Sequence, residues 1–484
     1  MYISLSPSYA IRNEGKSSFL IRVTKIIDSS RNDFGAFCIP PFMGYILAHI
    51  GDCEYSKSIE NISNVLNVSI GAVDKFVKQV IGNSSHKEFF VSENQSVVLP
   101  SELLKCSDEK RETNVYEDNQ FDPFSDYVQT RPSIPLFVNF MITTNCTTDC
   151  VYCYANRKLR PVLTTSKILE TLEELYNQGT VNVSLTGGDI FAHPDWEIIL
   201  SGLHKYGYYS YLSTKTPLSL EQIMFLKKIG YDEIQFSLDS NDPRVLKKLI
   251  SVNPSYLDKV SSFLKLCSEV GMNVLIRSVL TSLNASKEKI LDFYKYLYQY
   301  KCVKEWAITP AFFSKYKEEE YKSLEIDNKD MIWVYEFTQK PNLAFNIVLN
   351  KISEDGYVLK RFKTVEDFVC YNQICIANSV SLSIIANGDC SVCEMLYDTP
   401  EYLLGNIKNS SIKDIWNSKK ALDLYKISQK YYPDSSPCKK CNSIEKCRND
   451  FGKRVCYLDI AKSGKSRWDP DPRCPLSDEI DLVL

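Results

Sequence analysis

The stretch Leu136-Phe-Val-Asn-Phe-Met-Ile-Thr-Thr-Asn145-Cys146-Thr-Thr-Asp-Cys150-Val-Tyr152-Cys153-Tyr154 decides how this chain is read. Its first half, apolar but for Asn139 as far as Ile142, has the length of a buried strand. Its second half is a polar loop carrying three cysteines within eight residues. Thiolate is the soft ligand that a cubane [4Fe–4S] cluster requires, and three thiolates leave one iron corner open to a small molecule. Working outward, VNVSL (181–185), YYSYLS (208–213), DEIQFSLD (232–239), MNVLIRSVL (272–280) and VKEWAIT (303–309) also read as strands. Helical stretches separate them: SKILETLEELYNQG, a segment opening on Ser219-Leu-Glu-Gln222 with a capping-box spacing, YLDKVSSFLKLCSEVG and SKEKILDFYKYLYQY. Strand–helix alternation of this kind predicts a parallel sheet with right-handed crossovers. Eight units would close a barrel, so six predict a partial (β/α)6 barrel over residues 136–320, with chemistry at the C-terminal ends of its strands.

The chain has 484 residues, enough for two or three domains. Apolar residues make up 44% and charged residues 24%, the balance of a globular protein with a sizeable core. Lys and Arg (57) against Asp and Glu (60) leave a net charge of −3, which gives no global case for a nucleic-acid partner. No signal-peptide pattern opens the chain and no run of about 18 apolar residues occurs, so a soluble, cytoplasmic protein without membrane contact is expected.

Residues 1–95 read as a separate domain: two strand-like segments (SSFLIRVTKII and FGAFCI), three short helices, and a hairpin over KEFFVSENQSVVL. The second and third helices, joined near Val68-Ser69-Ile70, suggest a helix-turn-helix and the hairpin a wing. Nine basic residues face nine acidic ones there, and the helix in the recognition position carries only Lys75 and Lys78. A phosphate-tracking surface needs more positive charge than that. Residues 96–135 read as a polar linker and 321–369 as a bridging region.

Cysteine is concentrated at the other end. Nine of the 17 cysteines fall in residues 370–484. In a reducing compartment this points to metal or cluster ligation rather than disulfides. The pattern is Cys370, Cys375-x12-Gly388-x4-Cys393, Cys438-x2-Cys441-x5-Cys447, Cys456 and Asp471-Pro-Arg-Cys474. A zinc ribbon built from Cys390-x2-Cys393 and Cys438-x2-Cys441 is the simpler alternative, but its halves stand far apart and it leaves five cysteines unused.

Cys146-x3-Cys150-x2-Cys153 with Tyr152 resembles the signature of the radical S-adenosylmethionine (radical SAM) superfamily. The strand-end Thr186-Gly187-Gly188-Asp189 resembles that family's glycine motif, with Asp where Glu is usual. By resemblance, Cys146, Cys150 and Cys153 hold the cluster that binds S-adenosyl-L-methionine, and the Gly187-Gly188-Asp189 backbone meets its amino group. Ser237 and Asp239 then lie near its ribose and carboxylate, with Arg277 or Ser278 as further partners of the carboxylate. The C-terminal cysteines resemble the SPASM extension of peptide-modifying relatives, which carries two auxiliary [4Fe–4S] clusters. The resemblance assigns Cys370, Cys375, Cys393 and Cys456 to the first, and Cys438, Cys441, Cys447 and Cys474 to the second. Eight residues separate Cys447 from Cys456 where the family has three. Glu394 stands where sulfatase-maturing relatives have an Asp acting as a base.

The resemblance also gives the N-terminal domain a role other than DNA binding. It is similar in element order to the PqqD-like recognition element, which binds the leader of a ribosomally made precursor peptide by strand addition. The implied activity is reductive cleavage of S-adenosylmethionine to a 5′-deoxyadenosyl radical, with electrons from a carrier such as flavodoxin or ferredoxin. The implied product is an intramolecular cross-link in the precursor peptide, a Cys thioether first, a carbon–carbon or carbon–oxygen bond or an epimerised residue as rivals. A formylglycine-forming sulfatase maturase would leave the N-terminal domain without a role. A winged-helix regulator using the clusters only to sense redox state is the non-enzymatic alternative.

Overall fold

The computed structural model describes residues 1–23, 35–92, 95–111, 113–311, 317, 319–320, 323–350, 352, 361–371, 375–451 and 454–478. The chain opens with β1 (Tyr2–Leu5), β2 (Tyr9–Glu14), β3 (Ser17–Arg22) and β4 (Ala36–Ile39), followed by helices α1 (Pro41–His49), α2 (Tyr55–Leu66) and α3 (Ile70–Val80). The hairpin strands β5 (Lys87–Ser92) and β6 (Gln95–Leu99) follow. Ser69 caps α3 by accepting from the Ala72 N–H, while Asn67 ends α2 in the left-handed region at φ 51°. The apolar faces of all three helices meet β1–β3 around Ile11, Leu20, Leu47 and Val77.

The segment read as a linker is tied down instead. Within it β7 (Leu104–Ser107) pairs antiparallel with β1, and β8 (Val115–Glu117) pairs parallel with the edge of β2. Further on, Arg131 is buried over the Trp416 ring at 3.9 Å and donates to the Asn378 carbonyl at 2.9 Å and to its side-chain oxygen at 2.6 Å. Burial lowers its pKa to about 9. The polar side chains of this segment are mostly exposed, as their composition suggests, and Arg131 is the one among the described residues of 101–135 that is buried between distant parts of the chain. Arg131→Ala should lower the unfolding free energy by about 2–4 kcal/mol in a denaturant titration, since it strands buried acceptors.

The central array begins at β9 (Phe137–Thr143). Helix α4 (Thr165–Gln178) returns the chain to β10 (Asn182–Gly187), parallel to β9, and α5 (Trp196–Lys205) leads to the short β11 (Ser213–Thr214). Then come α6 (Leu220–Lys228), β12 (Glu233–Ser237), α7 (Pro243–Ile250), α8 (Tyr256–Val270), β13 (Asn273–Leu280), α9 (Lys287–Tyr298) and β14 (Val303–Pro310). Ser219 and Gln222 form the expected capping box on α6, and Gly271 stops α8 at φ 69°. Neighbouring strands from β11 to β14 pair in parallel. The 208–213 stretch is regular strand only at its end. Its earlier part still bridges the sheets, because the Leu185 N–H donates to Ser210 Oγ at 2.7 Å and the Gln235 N–H to the Leu212 carbonyl at 2.9 Å.

Two further strands extend this array beyond the six expected. After α10 (Asn328–Thr338), β15 (Asn346–Leu349) adds in parallel to β14. After α11 (Val365–Tyr371), β16 (Ser381–Ile384) adds in parallel to β9 and continues antiparallel into β17 (Asp389–Ser391) and β18 (Leu403–Asn406). The cysteine-rich C-terminal region is therefore hydrogen-bonded directly to the strand that precedes the first cysteine loop. Strand β13 alternates between half-buried and fully buried side chains along its whole length. A parallel strand covered on both faces reads as a continuous apolar run, so this alternation marks one helix-covered face and one that lines a polar interior. Phe236 of β12 packs on Phe263 of α8 at 4.9 Å, on the covered side.

Candidate functional site

The cysteine loop leaves the C-terminal end of β9 and is pinned by its own backbone. Asp149 and Val151 N–H groups donate to the Ile250 and Leu249 carbonyls at the end of α7, at 3.0 and 2.9 Å. Thr148 Oγ1 lies 3.4 Å from Cys146 Sγ and 3.5 Å from Cys150 Sγ. Arg157 donates to the Thr148 carbonyl at 2.6 Å, closing the loop from its far side. Gly188 is required by close approach: a Cβ there would stand 2.1 Å from the Asn145 carbonyl oxygen. The Gly-Gly pair thus lets the end of β10 lie against the cysteine loop. Gly188→Ala should displace that loop, read as iron content below the parent's after anaerobic reconstitution, with the far-ultraviolet spectrum retained.

Asp189 is buried and accepts from the Phe191 N–H (3.0 Å), Thr214 Oγ1 (2.7 Å), the Lys215 N–H (3.1 Å) and Thr216 Oγ1 (2.9 Å). Its carboxylate ties the end of β10 to the end of β11. Asp239, following β12, is buried too; it accepts from the Val279 N–H at 2.8 Å, from the Tyr152 hydroxyl and from Lys215 Nζ at 3.0 Å. Burial works against the Lys215 charge, but Asp239 and then Cys150 outweigh it, so its pKa lies above the ordinary value. Tyr152 is held above its ordinary value by burial and by Asp239. Lys215 carried no motif in the sequence; only the fold brings it to the cysteines.

Ser237 and Lys215 line a cavity of about 130 Å³ together with Cys146, Cys150, Cys153, Gly187, Gly188 and Asp189. Two other candidates do not line it, although Arg277, in register with Ser237, shares its face of the sheet. Ser278 is buried in the helix-covered layer, donating to the Leu238 carbonyl at 2.5 Å and accepting from Trp306 Nε1 at 2.8 Å. The Arg277 guanidinium lies 5.6 Å from the Tyr211 ring centroid. His193 is a buried loop residue accepting from the Asp195 N–H at 3.0 Å; burial lowers its pKa.

The C-terminal thiols gather into two sets. Burial pushes the Cys447 thiol up to about 12, with Cys438, Cys474 and Cys441 close enough to add to the rise. Cys474 is raised to about 11, again first by burial and then by Cys438 and Cys441. Burial raises Cys393 to about 12, with Cys375 and Glu394 beside it, and Cys456 is raised by burial, Asp459, Cys375 and Cys393. The longer spacing before Cys456 therefore does not take it away from Cys375 and Cys393. Cys370 is exposed on α11, and no described interaction joins it to that trio. Cys390 is buried in β17, its neighbours being Asp389 and Glu174. The zinc-ribbon pairing is thus not the one the fold assembles. Among the described residues no three His, Cys, Asp or Glu side chains converge as ligands of a single metal ion would; a cubane takes its thiolates at separate iron corners.

These surroundings fit clusters. Burial raises Cys150 and Cys153 as it does Cys375, Cys393, Cys447, Cys456 and Cys474, so a thiolate at these positions is costly until a cation stands beside it. The first loop and the Cys393 trio also share a neighbour. Tyr154, still 37% accessible, has its hydroxyl raised by desolvation and then by Glu394, Cys153, Tyr397 and Cys393. The Asn156 N–H donates to the Tyr397 hydroxyl, fastening the two regions together. Desolvation likewise raises the Glu394 carboxyl.

Residues 140–297 match the radical SAM superfamily, and residues 375–442 match SPASM, an iron–sulfur cluster-binding domain. The fold and the site thus carry a radical SAM region and an iron–sulfur cluster-binding SPASM region, with iron–sulfur clusters and S-adenosylmethionine as the cofactors of those regions. An S-adenosylmethionine-dependent nucleotide dehydratase of Selenomonas ruminantium is 27% identical over 160 residues, 31% of this chain and 58% of that protein. A probable GTP 3′,8-cyclase of Pyrobaculum aerophilum is 22% identical over 162 residues, 33% of this chain and 52% of that protein. The chain thus spans just over half the length of these relatives. Streptococcus suis SuiB bound to its precursor peptide SuiA superposes with a TM-score of 0.62 at 15% identity, over 98% of this chain and 100% of that one. SuiB bound to S-adenosylmethionine gives 0.59 at 15% identity over 99% of each chain. At that identity the likeness is one of fold. No helix among the described residues is long and apolar enough to cross a membrane.

Proposed function

We propose that this chain is a cytoplasmic peptide maturase that installs an intramolecular cross-link, a Cys thioether first, in a ribosomally made precursor peptide. The observation that carries the reading is the tie between the two cysteine regions: the Asn156 N–H, just past Cys153, donates to the Tyr397 hydroxyl, just past Cys393, and Tyr154 lies near enough to Cys153 and Cys393 to feel both. A hydrogen-abstracting centre and a second cluster next to it are what oxidative bond closure needs, since the closing bond releases an electron. SuiB, bound to a precursor peptide, has the same chain-long architecture, and residues 1–95 have the element order of a PqqD-like leader-binding module.

In this reading Cys146, Cys150 and Cys153 hold the cluster, and the Gly187-Gly188 backbone with Ser237 positions the bound nucleoside in a partial barrel of six core strands. With S-adenosylmethionine bound, the reduced cluster supplies a carbon-centred radical. The protein's part is orientation and exclusion of side reactions: Asp189 braces the cavity wall, and Asp239 fixes Tyr152 and Lys215. Cys375, Cys393 and Cys456 would hold one auxiliary cluster with Cys370 as the remaining candidate; Cys438, Cys441, Cys447 and Cys474 would hold the other. Glu394 would take a proton from the peptide.

The test is mass spectrometry of a candidate precursor after anaerobic reaction. Loss of a pair of hydrogens per link with release of 5′-deoxyadenosine is expected; unchanged mass with inverted residues would mean epimerisation. Glu394→Gln should keep nucleoside release yet lower cross-linked product by about 10²-fold, the usual share of a general base. Equal product from parent and variant would remove Glu394 from the mechanism.

A further inference from the structure

Arg448 closes the short helical turn Ile444–Arg448, directly after Cys447, and its side chain is fully buried. A buried charge is tolerated only where opposite charge and hydrogen bonds offset it. Its guanidinium donates to the Arg467 carbonyl at 2.9 Å, to the Asp469 carbonyl and to Cys438 Sγ at 3.7 Å. Its Nε is buried with no acceptor among the described residues, and the Tyr432 and Tyr457 rings flank it at 5.9 and 5.8 Å. Neither carbonyl carries a net charge. The Asp469 carboxylate is turned to Ser466 instead, accepting from its N–H at 2.9 Å and its hydroxyl at 2.8 Å. Among the described residues no carboxylate pairs with Arg448, so the anionic groups left to it are the thiolates of Cys438 and its set. Arg473, also buried, is the contrast: Asp471 accepts from its guanidinium at 2.9 and 2.8 Å, and Asp459 stands 3.2 Å away.

We propose that Arg448 is the counter-charge of the Cys438/Cys441/Cys447/Cys474 site and a positioning residue that sets its reduction potential. The inference rests on the function proposed above, in which these four thiols hold an auxiliary cluster. Four thiolates around a [4Fe–4S] core leave a net negative charge, and one-electron reduction deepens it. A guanidinium fixed where water is excluded offsets that charge more strongly in the reduced state than in the oxidised one, so it raises the potential. The hydrogen bond to Cys438 acts in the same direction, since donors to cluster sulfurs are among the levers on the potential. The step concerned adds one electron at the site, released by the bond closing in the peptide; nothing at the site itself forms or breaks. A merely structural Arg448 would be a staple between the Arg467 and Asp469 carbonyls, and its charge would be indifferent.

The test is potentiometric titration of the anaerobically reconstituted holoenzyme, followed by electron paramagnetic resonance, with iron analysis, on the parent, Arg448→Lys and Arg448→Met. The signal of this site is the one missing from Cys441→Ala. In Arg448→Met the ratio of its reduced to oxidised form at a fixed potential should fall by about tenfold or more, about 59 mV for one electron. Arg448→Lys should stay near the parent, and the signals of the other two sites should not move. Loss of about four iron atoms from Arg448→Met but not from Arg448→Lys would also support the proposal, since the charge would then be needed for assembly. An unchanged potential in Arg448→Met, or an equal shift or equal iron loss in both variants, would overturn it in favour of the staple. A parent about four iron atoms short, with no signal lost in Cys441→Ala, would overturn it together with the ligand assignment beneath it. The potentials are read without peptide, so a precursor left unlinked by the parent would count against the proposed function alone.

Discussion

Cys150→Ala should abolish release of 5′-deoxyadenosine, a fall of at least about 10³-fold, and remove about four iron atoms from a total near twelve. Cys150 is the buried member of its set, and Thr148 Oγ1 stands between it and Cys146 at 3.5 and 3.4 Å. Two remaining thiols cannot keep a cubane against loss to solvent, and no described side chain in the loop offers a substitute sulfur. The C-terminal sets lie on other segments of the chain, so their iron should stay. Iron and sulfide analysis beside nucleoside chromatography reads both effects. Loss of all iron would mean that the three sites are assembled cooperatively rather than separately.

Asp239→Ala should destabilise the protein by about 3–5 kcal/mol, because it leaves the Lys215 ammonium buried without its partner. The Asp239 side chain is fully buried and that of Lys215 is 12% exposed, so water cannot take over. The Tyr152 hydroxyl and the Val279 N–H lose their acceptor in the same step. K215M/D239L should recover part of the loss, since replacing both members of a buried pair by apolar groups is tolerated far better than removing one. The pH dependence has a fixed sign. The Lys215 pKa is raised in the fold above its ordinary 10.5, so its contribution is complete below that pH and fades as pH climbs through the raised value. Chemical denaturation of parent and variants near neutral pH checks the order parent, double variant, single variant.

Much of this architecture was legible in the chain because its signals are local. The apolar run before Cys146, the capping box at Ser219 and Gly271 at the end of α8 each act within a few residues. Strands β15 and β16 were not legible: four residues such as Asn346-Ile-Val-Leu or Ser381-Leu-Ser-Ile are too short to establish a period, and only pairing with β14 and β9 makes them strands. The 96–135 segment misled for the opposite reason. Its polar side chains are mostly solvated, yet its strands pair with β1 and β2 and Arg131 is buried against Trp416, nearly 300 positions away. In the site, the resemblance anticipated Cys456 beside Cys375 and Cys393 despite its longer interval, but not the exposed place of Cys370 on α11. Lys215 and Tyr154 carried no spacing at all and became visible only when separate strand ends and loops met. Ser278 sits at a strand end like Ser237, yet side chains alternate along a strand, and that alternation turns it towards Trp306 rather than the cavity.

The central claim is that the Cys146/Cys150/Cys153 site holds a cluster with an open corner that receives S-adenosylmethionine. Electron paramagnetic resonance of the reduced holoenzyme, with and without S-adenosylmethionine, tests it most directly. The account predicts that one cluster signal shifts on adding the nucleoside and that this signal is missing from Cys150→Ala. A spectrum indifferent to S-adenosylmethionine, or a shifting signal that survives in Cys150→Ala, would contradict it.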